Sequence, residues 1–275
     1  MGKVLTDAQM EAFHRDGFVA PITIFSEEEA LRLRRELEAA EAKWPGAFEG
    51  AARNNAHLNI MCLDEITHHP RIVDAAEDLI GPDILNCGTV LFIKEAHDPG
   101  FVSWHQDARY MGLEPHVGIT LWVALSHANE HSGSMRMIPG THDRIRAHKD
   151  TFGEENILTR GQEIEDLDES TAVTLDLKPG QMSIHSDRVI HSSLPNQSDD
   201  RRIGFVLQCF IPPYVKQTVR PMVAQHVRGQ DPYGNFEMIG RPKRDMDPDD
   251  VFMRDRVNQV WSEVLYHGAE KRRNF

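Results

Sequence analysis

Four residues carry a pattern that could do chemistry. His105 and Asp107 stand two apart in SWHQDARYMG, a stretch that otherwise has strand character, and His191 and Arg202 follow in DRVIHSSLPNQSDDRR. Side chains at i and i+2 of a strand share a face. An imidazole and a carboxylate there would project together, to share a metal ion or simply a surface hydrogen bond. A metal site needs a third ligand. His191 is the candidate, and His185 competes with it, or stands behind the ligands as a hydrogen-bonding residue. Two histidines and one carboxylate fill one face of an octahedron and leave the other open, the arrangement of non-haem Fe(II) oxygenases. Arg202 opens the apolar strand RIGFVLQCF. A buried guanidinium fork there would bind one carboxylate of a dicarboxylate co-substrate whose other end chelates the iron.

The elements that must position these residues can be read in order. TDAQMEAFHRDG reads as a helix opened by a capping box, Thr6 to Gln9, and closed by Gly17. SEEEALRLRRELEAAEAKW reads as a second, with Ser26 and Glu29 as its box and Leu31, Leu33, Leu37 and Ala40 as its apolar positions. Residues 46–60 look like loop, and PRIVDAAEDLIG is a third helix from Pro70 to Gly81. The texture then changes. DILNCGTVLFIKEA has the character of a buried strand. HVGITLWVALSHA alternates, with Val117, Ile119, Leu121, Val123 and Leu125 on one face and Gly118, Thr120, Trp122 and Ala124 on the other. Short strands separated by Pro-Gly and polar turns continue to about residue 211, around an acidic loop at 154–170, and VFMRDRVNQVWSEVLYHG predicts a last helix.

Helices first and many strands after predict an α+β chain around a double-sheet barrel. With no linker in sight, one domain is expected over 1–275: a helical part to about 82, a barrel core over 83–213, and an extension over 214–275. The formal net charge of −13 disfavours nucleic acid and anionic membranes as partners. Cys62, Cys87 and Cys209 are odd in number and far apart, which suits a reducing compartment, and the cytoplasm is the expected location. No run is long enough to span a bilayer. Oligomeric state is not legible.

WHQD at 104–107, LWVALSHANEHSGSMRMIPGTH at 121–142 and GQMSIHSDRVIHSSLPNQSDDRR at 180–202 together resemble the phytanoyl-CoA dioxygenase family of Fe(II)- and 2-oxoglutarate-dependent oxygenases. The last block carries G-x-x-x-x-H, H-x-S-x-P-N and a trailing Arg in the family's order. The resemblance implies a double-stranded β-helix (a jelly roll, cupin-like) flanked by helices. It implies His105, Asp107 and His191 as iron ligands and Arg202, with Ser193 beside it, as the seat of the distal carboxylate of 2-oxoglutarate. Gln106 and Trp122 match positions that help line the co-substrate site. Asp107 stands where halogenating relatives carry a small residue, so the implied reaction is hydroxylation by O2, with 2-oxoglutarate decarboxylated to succinate.

For the substrate, a small molecule, the residues near the metal face are Asn55, Asn59, Lys94, Arg109, Tyr110 and Arg136. Lys94, Arg109 and Arg136 in an acidic protein point to an anion, first a phosphonate such as 2-aminoethylphosphonate. The readings that compete are another small metabolite, such as an amino acid, osmolyte or secondary metabolite, and a cupin-like metal protein without redox chemistry.

Overall fold

The computed structural model describes residues 2–273. The N-terminal helices begin where their capping groups stand. Thr6 and Gln9 close a box on the helix Asp7–Asp16, and Ser26 and Glu29 close one on Glu27–Lys43. The second helix buries Ala30, Leu33, Leu37 and Ala40. Leu31, expected on that face, lies outward at 38% exposure, because the buried stripe runs one residue earlier. Pro70 starts the helix Pro70–Ile80 and Gly81 ends it, as the sequence suggests.

The stretch expected to be loop has more order than its composition shows. Three short 3-10 turns cover Pro45–Phe48, Gly50–Arg53 and Ala56–Leu58, and a helix follows at Met61–Thr67. That helix has no side-chain cap at Ile60, which is why no start signal precedes it. Burial of Cys62, Leu63 and Ile66 holds it in place instead.

Two sheets carry the site. The larger orders its strands Phe18–Thr23, Gln181–Ser186, Ile119–Ala124, Arg202–Ile211, Ile84–Asn86, Val223–Arg228 and Glu237–Ile239, with Thr89–Lys94 also paired to Arg202–Ile211. The expected single strand near residue 90 is thus two, parted at Cys87-Gly88. The smaller sheet orders Val173–Thr174, Met135–Ile138, Ile190–Ser193 and Val102–His105. Both contribute side chains to one cavity.

Alternation along Ile119–Ala124 explains how a core and a cavity share one strand. Ile119, Leu121 and Val123 join Leu33, Leu37 and Ile72 in the main apolar core, whereas Thr120 and Trp122 line the cavity on the opposite face. Close approach fixes one glycine. A Cβ on Gly204 would lie 2.0 Å from the Trp122 ring. Gly204→Ala is therefore expected to displace Trp122 and cost about 1–3 kcal/mol of stability, read as a lower urea midpoint. An unchanged midpoint would mean that the indole moves freely.

Among the described residues no helix is long and apolar enough to cross a membrane. All three cysteines are free and buried.

Candidate active site

His105 ends the strand Val102–His105, and His191 sits in its antiparallel neighbour as its direct cross-strand partner. Each ring is fixed through Nδ1. His105 Nδ1 lies 2.9 Å from the Ser103 carbonyl and 3.1 Å from that of His191, and His191 Nδ1 lies 3.1 Å from the Val189 carbonyl. A carbonyl can only accept, so both Nδ1 atoms carry the proton and both Nε2 atoms offer a lone pair inward. Ligand atoms of His105, Asp107 and His191 all lie within 4.8 Å of one another, and all three residues are buried.

Asp107 reaches this point by a route the strand pattern did not foresee. The strand stops at His105, and Asp107 has helical backbone (φ −57, ψ −44) just before the one-turn helix Ala108–Met111. A turn, and not strand alternation, aims the two side chains at one point. Burial alone would push the Asp107 carboxyl up, but contacts with His105 and His185 and the nearby His191 hold it well below the usual carboxylate range. Burial pushes His191 well down, towards the neutral form that a metal requires. The Thr120 hydroxyl lies 3.1 Å from Asp107 Oδ2 and 3.0 Å from the Gln208 carbonyl, and can give its proton to one of them at a time. His185 lies on the same wall, its Nε2 3.8 Å from Asp107 Oδ2, with neither ring nitrogen hydrogen-bonded. It stands outside the cluster of three.

Behind these residues lies a site of opposite sign. Arg202 and Lys94 are directly opposed across antiparallel strands and are 2% and 0% exposed. Like charges so placed repel, and buried cations without a counter-ion are costly. Lys94 Nζ donates to Ser193 Oγ at 2.8 Å and to the Leu194 carbonyl. Burial, with the charge of Arg202, pushes its amine down to about 6. Arg202 Nη1 donates to the Gly133 carbonyl at 2.8 Å, its Nε has no partner, and its guanidinium lies 5.4 Å from the Trp122 ring centroid. Burial pushes it down to about 10. Arg202, Ser193 and Trp122 all line the cavity, about 480 Å³ counted out to solvent, that also holds His105, Asp107 and His191. The donor chemistry fits a divalent cation at one end and a carboxylate at the other.

Other expected residues lie elsewhere. Gln106 is buried, but its amide bonds the carbonyls of Arg144 and Arg188 and the backbone N–H of Arg146, so it clamps the 141–148 loop and does not line the cavity. Its neighbours face the metal, and it points away from it. Lys94 lies behind Ser193, opposite Arg202. Arg136 is paired with Glu169 at 2.9 Å over the Trp104 ring, away from the cavity. Arg109 is exposed and lines neither space. Asn59 is fully buried against Met246. The three cations therefore do not converge.

Asn55 and Tyr110 do lie on a second, outer space, a cleft of about 1700 Å³ counted out to solvent. It joins the inner cavity at Phe92, His105, Asp107, Leu158 and Gln208. Much of its outer wall comes from the last helix, Pro248–Leu265, and the segment after it, through Asn258, Trp261 and Tyr266. Arg160 ties that helix to the facing loop, donating to the Leu265 and His267 carbonyls at 2.5 and 2.6 Å and pairing with Asp150 at 3.0 Å. None of these residues stands in a motif. Gln208 alone had a signal, since a period of two from Arg202 reaches it.

The comparisons agree with this geometry. A sequence profile of the family described as phytanoyl-CoA dioxygenase (PhyH) matches residues 13–204. The non-heme monooxygenase ThoJ, in its apo form, is 34% identical, with 92% of this chain and 96% of that one aligned at a TM-score of 0.81. CytC3 with Fe(II) and alpha-ketoglutarate is 25% identical over 90% of this chain and 97% of that one, at 0.68. A probable alpha-ketoglutarate-dependent hypophosphite dioxygenase of Stutzerimonas stutzeri is 29% identical over 54% of this chain and 52% of its own length. The chain spans about half the length of the first curated relatives it matches. With a profile match over most of its length and a solved relative aligned over 92% of the chain, the chain belongs to the phytanoyl-CoA dioxygenase family.

Proposed function

We propose that the protein is an Fe(II)- and 2-oxoglutarate-dependent oxygenase that hydroxylates a C–H bond of a small molecule. The two sheets are read as a double-stranded β-helix, and residues 1–275 as one domain around it. One observation carries the reading: three buried ligands share a cavity with Arg202, a buried cation without a carboxylate in contact, and Lys94 stands directly behind its wall at Ser193. A non-redox metal binder has no use for the second half of that site.

His105, Asp107 and His191 would hold the iron, and Arg202, Lys94 and Ser193 the distal carboxylate of 2-oxoglutarate. Bound together, iron and 2-oxoglutarate couple oxidative decarboxylation to insertion of an oxygen atom from O2. The chain's own part is positional. His105 and His191 are locked with Nε2 inward, Asp107 stays ionised beside the Thr120 hydroxyl, and Phe92, Val102, Met135 and Val206 keep the cavity apolar between its charged ends. A carboxylate at 107 supplies the third protein ligand, which favours hydroxylation over halogenation.

The test is anaerobic: Fe(II) is added and then 2-oxoglutarate, and a weak visible metal-to-ligand charge-transfer band is expected. Iron binding with no band would leave the cupin-like binder standing. A proton should also be taken up. With its amine pushed down to about 6 by burial and the charge of Arg202, Lys94 is mostly neutral at pH 7.5, and an arriving carboxylate favours its charged form. Affinity for 2-oxoglutarate should therefore fall as pH rises above neutrality. Calorimetry in two buffers of different ionisation enthalpy should report uptake approaching one proton, and no uptake in Lys94→Met.

A phosphorus oxyanion is the second reading for the substrate. The name of the Stutzerimonas stutzeri relative favours it, and the scattering of Lys94, Arg109 and Arg136 does not.

A further inference from the structure

We infer that the outer cleft takes an uncharged, largely apolar substrate much larger than a phosphonate, and that Gln208 orients it against the metal end. This rests on the oxygenase reading and goes beyond it.

Size comes first. Pockets for drug-sized ligands enclose roughly 300–1,000 Å³, and this cleft, at about 440 Å³, falls within that range. Phe92, Ile157, Leu158, Trp261 and Leu265 give it apolar walls. A two-carbon phosphonate would leave most of that surface uncovered.

Charge points the same way. Two arginines line the cleft, and both turn their guanidinium groups onto backbone carbonyls: Arg53 onto Phe48 and Ile93 at 2.8 and 3.2 Å, and Arg273 onto Asn156 and Leu158 at 2.7 and 3.1 Å, and onto Gly153. Asp98 and Glu154 line the same cleft and offset them. The buried cations lacking a carboxylate, Lys94 and Arg202, sit at the far end of the inner cavity, behind Ser193. A dianion in the cleft would meet two arginines already bonded to backbone carbonyls and two carboxylates of its own sign.

Gln208 supplies the polar handle. Arg202, Val206 and Gln208 share one face of the strand Arg202–Ile211, and all three line the inner cavity. Gln208 also lines the cleft, and its own carbonyl is 3.0 Å from the Thr120 hydroxyl that neighbours Asp107. Three of the cleft's other amides are engaged, Asn55 with Asn258, Asn258 with the Ala51 and Asn54 carbonyls, and Asn156 with Ser103, while the Asn54 side chain lies away from the inner cavity. Among the described residues, the Gln208 amide has no hydrogen-bond partner. One donor and one acceptor, uncharged, half-buried and beside the metal ligands, suit a neutral carbonyl, amide or hydroxyl group on the substrate.

The experiment uses the full chain loaded anaerobically with Fe(II) and 2-oxoglutarate, and reads perturbation of the charge-transfer band. The probes are a panel of neutral aromatic and aliphatic amides, N-benzylbenzamide among them, and a panel of phosphonates headed by 2-aminoethylphosphonate. Neutral members should bind more tightly than any phosphonate. Gln208→Leu should weaken them about tenfold, the scale of one hydrogen bond, while the 2-oxoglutarate titration stays unchanged. Gln208→Asn should recover part of the loss, which a merely structural role would not produce. A phosphonate that binds more tightly, a neutral panel that does not bind, or a Gln208→Leu protein with undiminished affinity would each overturn the inference. Failure of the band itself, before any probe is added, would instead strike the oxygenase reading.

Discussion

Asp107→Ala is expected to abolish iron binding and turnover while leaving the chain folded. A bound catalytic metal contributes several kcal/mol of transition-state stabilisation, so losing it should cost about 10³-fold or more in rate at 1.36 kcal/mol per decade. The fold has less at stake. Thr120 retains the Gln208 carbonyl as acceptor, and both histidines keep their Nδ1 bonds to backbone carbonyls. A neighbouring carboxyl should report the change as well. Burial, and then the charge of Asp107, push Asp187 up to about 7, so the substitution should move Asp187 downward. Equilibrium dialysis with Fe(II), a thermal melt and succinate release decide the matter. A variant that still binds one iron and turns over at the native rate would remove Asp107 from the ligand set.

The second large effect is expected at Arg202. Arg202→Met keeps the bulk and removes the fork. Losing one partner of a buried, hydrogen-bonded charge pair costs about 2–5 kcal/mol, so affinity for 2-oxoglutarate should fall about 30- to 4,000-fold. The empty protein should respond in the opposite sense. Arg202 is 2% exposed opposite a Lys94 that is itself fully buried, so an apolar residue of similar volume relieves the desolvation cost of the guanidinium. The unliganded melting temperature is expected to rise even as the co-substrate is lost. A lower melting temperature together with intact 2-oxoglutarate affinity would mean that Arg202 is a packing residue.

The sequence showed these effects unevenly, for reasons that residues make plain. The capping boxes at Thr6 and Ser26 and the Pro70 to Gly81 helix are local signals, and the chain obeys them. The helix Met61–Thr67 has no such signal and depends on burial, so nothing local announced it. His105, Asp107, His191 and Arg202 were legible as residue types at suggestive spacing, yet the stated reason for Asp107 was not the physical one. A strand end and a turn do what two-residue alternation was expected to do. Gln106 shows the cost of carrying a position over without its direction, since its amide grips the 141–148 loop. Lys94, Arg109 and Arg136 share a charge but not a place, and nothing local to each could reveal that. The cleft's outer wall was illegible for another reason: Asn258 and Trp261 meet Asn55 and Cys87 across about two hundred residues of chain, as contacts of packed surfaces.

One strand, Arg202–Ile211, touches both halves of the site, with Arg202 at the co-substrate end and Gln208 at the mouth of the cleft. The family profile ends at residue 204, between the two. Substitutions at Gln208 and along the last helix, at Asn258, Trp261 and Leu265, could alter what the cleft accepts while the Lys94–Arg202 pairing stays in register. For directed evolution, these positions open a library that leaves the far end of the strand untouched.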